Sequence, residues 1–227
     1  MDAVNKVQSP FLPGTKVQFA YDSTSIGYLK TCPKLYEYIM IQGWQPKGES
    51  VHLRFGSEYH EAIQDYDNAK AEGSSHEDAI HTAVRNLLIR IRDWEVDEGS
   101  RAGNYKNPTT LLQLCVDYFD HFAEDPAETL ILDNGKPAVE LSFKFELDWG
   151  PRHPNTFPAE FEEDGKCIKH SQPYLLCGHL DRVVNFAGDL FVLDHKTTTT
   201  TPTQYFFAGF NPSNQMTLYT LAGRVST

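Results

Sequence analysis

Apolar positions recur every three to four residues through the first half of the chain, which is the spacing of one face of an α-helix. The clearest stripe consists of Phe55, Tyr59, Ala62, Ile63 and Tyr66. Ser23 and Ser75 stand where helix N-caps are expected, and Pro33 predicts a break or kink. The pattern predicts helices over about residues 23–40, 55–71, 76–98, 109–124 and 213–223.

After Pro137 the period changes from helical to alternating, which is typical of a half-buried strand. The apolar side of this strand is Val139, Leu141, Phe143, Phe145 and Leu147, and its polar side includes Glu140. Two more strands are predicted over about 175–186 and 190–196, joined by a short turn that contains Gly188. The remaining predictions are an extended arm over 1–20, a loop over 43–51 and a long loop or ragged hairpin over 150–173.

Composition and charge narrow the class of protein. The 227 residues are 40% hydrophobic, which indicates a globular chain. No apolar run is long enough to span a bilayer, and the N-terminus lacks the apolar stretch of a signal peptide, so we expect a cytoplasmic protein without a membrane partner. The net charge of −11 argues against nucleic-acid binding over a broad basic surface. It is compatible with a carboxylate site that binds cations, which then hold a phosphate.

The four cysteines do not indicate a zinc ribbon or a disulfide framework, because none form a CxxC pair and no secretion signal is seen. They are Cys32, Cys115, Cys167 and Cys177. Cys115 and Cys177 lie in apolar sequence and are expected to be buried free thiols.

The candidate chemistry lies at the predicted hairpin near the end of the chain. Asp194 and Lys196 leave the same face of their strand and His195 leaves the other. A two-residue turn at Ala187-Gly188 would pair Asp181 directly with Asp194, with their β-carbons about 5 Å apart. Two facing carboxylates repel each other unless a divalent cation lies between them, and Mg²⁺ or Mn²⁺ suits such oxygen ligands.

This arrangement is suited to hydrolysis of a phosphodiester. The cation would offset developing negative charge, and Lys196 would orient the nucleophilic water or stabilise the charged transition state. The alternative from spacing alone is a solvent-exposed salt bridge between Asp194 and Lys196 at the strand end.

Five segments, in order along residues 25–219, resemble the motifs of the PD-(D/E)xK nuclease superfamily. GHLDRV (178–183) and VLDHKTT (192–198) resemble its paired metal motifs. QMTLY (215–219) resembles the QxxxY motif of the RecB-like and CRISPR-adaptation exonuclease branch. FGSEYHEAI (55–63) resembles the GxxxH helix of that branch, and SIGYLKTCPKLYEY (25–38) resembles its N-terminal helix.

The resemblance implies a role for each matching residue. Asp181 and Asp194 would be metal ligands, and Lys196 would be the catalytic lysine. His60 would be a further metal ligand from a helix, and the backbone carbonyl of His195 would also face the metal. An ordinary surface or core histidine is the alternative for His60.

Three accessory residues follow from the same resemblance. Gln215 and Tyr219, four residues apart, share a helix face that would contact DNA or orient the lysine. Glu140 stands where relatives place an accessory acid. The alternatives are a plain core position for Tyr219 and a solvated glutamate for Glu140.

The implied fold is α/β, a restriction-endonuclease-like mixed sheet flanked by helices with a helical N-terminal portion. We expect an arm over 1–22 and a single nuclease domain over 23–227, helical over about 23–125 and carrying the sheet and catalytic residues over about 137–227. The implied function is Mg²⁺- or Mn²⁺-dependent DNA hydrolysis, with exonuclease action on single-stranded or free DNA ends. Two alternatives stay open: a non-catalytic nucleic-acid-binding or recombination-accessory protein that keeps the fold, and a metal-dependent hydrolase of another substrate such as a nucleotide.

The sequence departs from the family pattern in two places. Related nucleases continue past the QxxxY helix into another strand, whereas this chain ends eight residues after Tyr219, as a truncated or a natural short form. Some relatives hold an iron–sulfur cluster with the Cys-Pro cysteine and three cysteines near the C-terminus. Cys32 matches the first of these, but no cysteine follows Tyr219, so an iron–sulfur cluster is not supported.

Overall fold

A computed structural model describes residues 9–48, 50–95, 105–147, 159–163, 166–170 and 174–226. The start of the predicted arm and parts of the predicted loop over 150–173 lie outside these residues. The helix predicted over 76–98 ends at Ile91, so the prediction is wrong for residues 92–95, and residues 96–98 lie outside the described part. The chain divides into two compact units, and strands β3 (Val139–Glu146) and β6 (Leu175–Phe186) run from one into the other. The first unit comprises the chain up to Gln45 with Ser142–Gly178, and the second comprises Pro46–Leu141 with His179–Thr227.

In the first unit, the helical stretch predicted over 23–40 is divided into separate short helices. Helix α1 (Ser23–Thr31) ends before Cys32, whose extended backbone precedes α2 (Pro33–Tyr36), so the predicted break at Pro33 is confirmed. A π-helical turn follows at Glu37–Ile41. The predicted cap at Ser23 is wrong.

The cap of α1 is Asp22. Its Oδ1 accepts a hydrogen bond from the backbone N–H of Ser25 at 2.7 Å, and the Ser25 hydroxyl accepts one from the backbone N–H of Asp22. This reciprocal capping box satisfies two backbone donors, which a cap at Ser23 would leave open.

Short strands complete the described part of the first unit. Strand β1 (Ala20–Tyr21) pairs in parallel with the first residues of β6, in the register Ala20↔Leu175. Strands β4 (Ala159–Glu163) and β5 (Lys166–His170) pair antiparallel, which is the hairpin alternative predicted for residues 150–173.

Three helices form the hydrophobic core of the second unit. They are α3 (Val51–Ala71), α4 (His76–Ile91) and α5 (Pro108–His121). The whole predicted stripe of α3 is buried in this core, and α3 begins four residues before the predicted start at 55. The predicted cap at Ser75 is confirmed, since its hydroxyl accepts from the backbone N–H of Asp78.

The β6 hairpin of the second unit has the predicted register. Strand β7 (Asp189–Leu193) pairs antiparallel with β6 through Phe186↔Asp189 to Arg182↔Leu193, and extending this register by one residue places Asp181 opposite Asp194. Ala187 and Gly188 both have positive φ, 54° and 92°, as a two-residue hairpin turn requires. The predicted turn is therefore confirmed. The strand predicted over 190–196 ends earlier, at Leu193, so Asp194, His195 and Lys196 follow β7 instead of belonging to it.

Two elements of the second unit were not predicted: the short strand β2 (Glu128–Thr129), antiparallel to β6, and the short helix α6 (Gln204–Ala208). The last helix, α7 (Asn214–Ser226), agrees with the prediction over 213–223. Among the described residues, β1, β2, β3, β6 and β7 form one sheet with parallel and antiparallel neighbours. The predicted mixed α/β class is confirmed.

Two smaller expectations can also be compared. Cys115 is buried as predicted, whereas Cys177 is only half-buried, with its thiol directed at the backbone oxygen of Tyr21 at 3.4 Å. Within the described residues, no helix combines the length and apolar character that crossing a membrane requires.

Candidate active site

Three side chains of the second unit come together at one point: His60 of α3, Glu140 of β3 and Asp181 of β6. Each offers a ligand atom, and these atoms all lie within 4.8 Å of one another. His60 Nδ1 lies 3.0 Å from Asp181 Oδ2. One imidazole nitrogen and two carboxylates form a donor set that fits a divalent cation such as Mn²⁺ or Mg²⁺.

The packing of α3 determines where His60 points. Its neighbours Tyr59 and Ile63 are buried in the helical core, so the helix is held by the face beside His60. The His60 side chain itself retains 28% exposure. Its hydrogen bond to Asp181 raises its pKa above the ordinary value and outweighs the opposing effect of burial.

Glu140 reaches the cluster through an unusual backbone conformation. Its φ is +48°, in the left-handed region that costs a non-glycine residue about 1–2 kcal/mol. Regular alternation places Glu140 on the polar face of β3, but here it is half-buried, and burial together with the charge of Asp181 raises its pKa. Strained backbone of this kind is concentrated at functional sites.

Asp181 is held by two donors. Its Oδ2 accepts hydrogen bonds from His60 and from the backbone N–H of His195, the latter at 3.0 Å. Burial raises the pKa of this carboxyl, but the two hydrogen bonds outweigh it, and the net pKa lies below the ordinary value. Asp181 is therefore kept ionised, as a metal ligand must be.

Asp194 belongs to a neighbouring cluster. Its carboxylate forms an ion pair with Lys196 at 2.7 Å, and the Gln215 side-chain amide lies 3.4 Å from it. The same amide donates to the Tyr219 hydroxyl at 2.8 Å, so Gln215 and Tyr219 share a helix face as predicted. Burial raises the pKa of Asp194, and the lysine only partly opposes this.

The His195 ring lies in an aromatic environment. Its Nε2 lies 3.0 Å from the Tyr118 hydroxyl, and its ring meets those of Tyr59 and Tyr118 edge to face. Burial lowers the pKa of His195 to about 4, so the imidazole is neutral at physiological pH. Its ring packs against these two tyrosines, while its backbone N–H donates to Asp181.

The metal-capable groups line a small space. Its volume is about 10 Å³, close to that of one water-sized sphere. The space is thus of a size for a single ion or water. Its lining includes His60, Asp67, Glu140, Asp181, Arg182 and His195.

The structure divides the residues predicted for the site into two adjoining groups. His60, Glu140 and Asp181 form the first, and Asp194, Lys196, Gln215 and Tyr219 form the second.

Sequence reasoning missed Tyr118, Arg182 and Asp67, all of which contact or line this region. Two signals were available. Arg182 directly follows Asp181, and Asp67 lies two helical turns after His60 on the same face.

The comparison with protein families agrees with this geometry. The model of the PD-(D/E)XK nuclease superfamily matches residues 23–226. The chain belongs to the PD-(D/E)XK nuclease superfamily. No curated protein and no solved structure matches it.

Membership in this superfamily indicates a metal-dependent nuclease that acts on a nucleic acid. The cluster of His60, Glu140 and Asp181 is a candidate for the divalent-metal site that the superfamily uses. Placement in the RecB-like branch stays a prediction.

Proposed function

We propose that this protein hydrolyses DNA phosphodiester bonds with Mg²⁺ or Mn²⁺ and acts as an exonuclease on single-stranded or free DNA ends in the cytoplasm. The observation that carries the proposal is the meeting of His60, Glu140 and Asp181 within 4.8 Å, beside the ion pair of Asp194 and Lys196. The superfamily match supports the reaction class.

The metal would be held first by His60, Glu140 and Asp181. The resemblance adds Asp194 and the backbone carbonyl of His195 as further ligands. A bound divalent ion supplies charge that offsets the negative charge developing on the phosphate and lowers the pKa of water.

The remaining chemistry falls to side chains of the neighbouring cluster. Lys196 lies at the edge of the site and is 36% exposed, so its ammonium can reach a scissile phosphate or orient the attacking water. The Gln215 amide contacts both the Asp194 carboxylate and the Tyr219 hydroxyl. This orients the carboxylate that pairs with Lys196. Tyr219 and Lys196 also line a groove of about 620 Å³ between β7 and α7.

The test is incubation with end-labelled single-stranded and double-stranded DNA in Mg²⁺, Mn²⁺ or EDTA. We expect metal-dependent release of nucleotides from single-stranded ends and no cleavage in EDTA. Lys196→Ala should lower turnover by about 10²–10³-fold while leaving Mn²⁺ and DNA binding nearly unchanged, because the lysine acts mainly in the transition state.

Each alternative function gives a different result. A protein that binds DNA but never cleaves it would be a non-catalytic relative, and one that hydrolyses mononucleotides but not oligonucleotides would act on another substrate. Unchanged cleavage by Lys196→Ala would remove the lysine from the mechanism.

A further inference from the structure

Helix α3 is attached to β6 at two points of the second unit. His60 meets Asp181 at 3.0 Å, and Asp67 meets Arg182 at 3.5 Å. His60 and Asp67 are seven residues apart, which is about two turns and about 10.5 Å along one helix face. Asp181 and Arg182 are consecutive residues of β6. The helix and the strand therefore contact each other through one pair in the metal-capable cluster and one pair beside it.

Arg182 is the centre of a buried network. Its guanidinium donates to the Thr129 hydroxyl at 2.9 Å, to Asp125 at 3.0 Å and to the backbone oxygen of Ala127 at 2.7 Å. The Arg182 and Asp67 side chains are only 8% and 5% exposed. The planar fork of an arginine holds several partners in fixed directions, which a lysine cannot do.

A buried ion-pair network of this kind is weak evidence for a purely stabilising role. Replacing a buried ion pair with apolar side chains of similar volume is often neutral or stabilising, because charges lose hydration on burial. The position of the pair points to a second role. Asp67 and Arg182 both line the ion-sized space together with His60 and Asp181.

We propose that Arg182 and Asp67 are positioning residues that hold α3 against β6 at the distance at which His60, Glu140 and Asp181 can bind one cation. This inference rests on the proposed function only in taking that cluster as the metal site. Neither residue belongs to the cluster of candidate ligands, and each would act through the helix or strand that carries a ligand. Loss of such supporting contacts typically weakens metal affinity by about 10–100-fold.

The chain offers a matched control in Arg90 of α4. Its guanidinium donates to Glu58 and Asp65 of α3, each at 2.9 Å, so it also ties α3 to a neighbour through two carboxylates. None of these three residues lines the ion-sized space. A change at Arg90 therefore perturbs a comparable ion-pair network on the same helix without involving β6.

The experiment measures Mn²⁺ binding by electron paramagnetic resonance, and melting temperature in EDTA, for the parent, Arg182→Lys, Asp67→Asn and Arg90→Lys. We expect Arg182→Lys and Asp67→Asn to raise the Kd for Mn²⁺ by about tenfold, and Arg90→Lys to leave it within about twofold of the parent. Cleavage by Arg182→Lys should return toward the parent rate at saturating Mn²⁺, because the defect lies in metal affinity.

Asp67→Asn guards against failure of the arginine variant to fold. The amide keeps the shape of the side chain, so the fold should tolerate it, while the substitution removes the charge that pairs with Arg182. Unchanged Mn²⁺ affinity in both variants, or an equal loss in Arg90→Lys, would overturn the inference. A parent protein that binds no Mn²⁺ would instead overturn the proposed metal site, and the inference with it.

Discussion

Asp181 of β6 and Asp194, the residue that follows β7, face each other across one hairpin, yet their surroundings shift the pKa values of the two carboxyl groups in opposite directions. Asp181 accepts from His60 and a backbone N–H, and its pKa is lowered. Asp194 is paired with Lys196, but burial still raises its pKa. The difference shows that facing positions in a hairpin do not by themselves make equivalent ligands.

The partners explain this difference. Near Asp181, helix α3 contributes His60 and strand β3 contributes the strained residue Glu140. These two residues supply a second and a third candidate ligand atom. Near Asp194, helix α7 contributes Gln215, whose side-chain amide contacts the carboxylate and is not a metal ligand. One region thus offers three candidate metal ligands, and the other pairs its carboxylate with the lysine that the proposed function assigns to catalysis.

The largest expected contrast is in metal affinity. Asp181→Asn should weaken Mn²⁺ binding by about 100-fold or more, since it removes the central ligand of the cluster, whereas Asp194→Asn should weaken it by only about tenfold. Isothermal titration with Mn²⁺ would measure both. An equal or greater loss in Asp194→Asn would show that Asp194 is as much a primary ligand as Asp181, and the proposed contrast between the regions would fail.

The same two variants should differ in metal-free stability. Asp181→Asn should lower the free energy of unfolding by about 1–3 kcal/mol, because it weakens hydrogen bonds to an ionised group. Asp194→Asn should cause no loss, since the raised pKa means that the ionised carboxyl costs stability at neutral pH. Urea denaturation in EDTA would test this. A marked destabilisation by Asp194→Asn would assign Asp194 a structural hydrogen bond or salt bridge.

Glycines in the two helices that serve these regions sharpen the comparison. A β-carbon at Gly223 of α7 would lie 2.9 Å from Val192 Cγ2, so Gly223→Ala should destabilise by about 1–3 kcal/mol. A β-carbon at Gly56 of α3 would meet nothing within 4 Å, so Gly56→Ala should stabilise by about 0.5–1 kcal/mol. Thermal unfolding of both variants checks the signs; stabilisation by Gly223→Ala would mean that α7 shifts freely along β7.

The smallest expected effect is the pH dependence of the metal-free Asp181 region. The folded pKa of His60 is raised, so its contribution is full below the unfolded value near 6.5 and is lost as pH rises through the folded value. His195, with its pKa lowered to about 4, loses its contribution in the opposite direction, as pH falls below about 6.5. Above pH 7 the change therefore reports His60 and not His195.

The measurement is the difference in melting temperature between the parent and His60→Gln in EDTA from pH 6.5 to 9. The parent should lose its advantage as pH rises, by a small amount because the pair is partly solvated. A difference that stays constant over this range would show that the His60–Asp181 contact is not an ion pair in solution.

Several parts of the fold and the site could be predicted from local pattern. The apolar stripe of α3 fixed one helix face, and alternation with the turn at Ala187-Gly188 fixed the hairpin register. These features depend on residues close together in sequence. The helix repeats every 3.6 residues and the strand every 2, so both patterns can be seen in the sequence itself. The ion pair of Asp194 with Lys196, two residues away, is likewise a local feature that could be predicted from the sequence.

Other parts were decided only by tertiary structure. The left-handed backbone of Glu140 breaks the alternation from which its position was predicted, so no periodic pattern could place it in the cluster. The partners of Arg182 are 53 to 57 residues away along the chain for three of its hydrogen bonds, and no local signal identifies them. The sequence thus determined which residues could bind a metal. The packing of α3, β3 and α7 against the hairpin decided which of them meet, because contacts distant in sequence are selected by the burial of whole helix and strand faces.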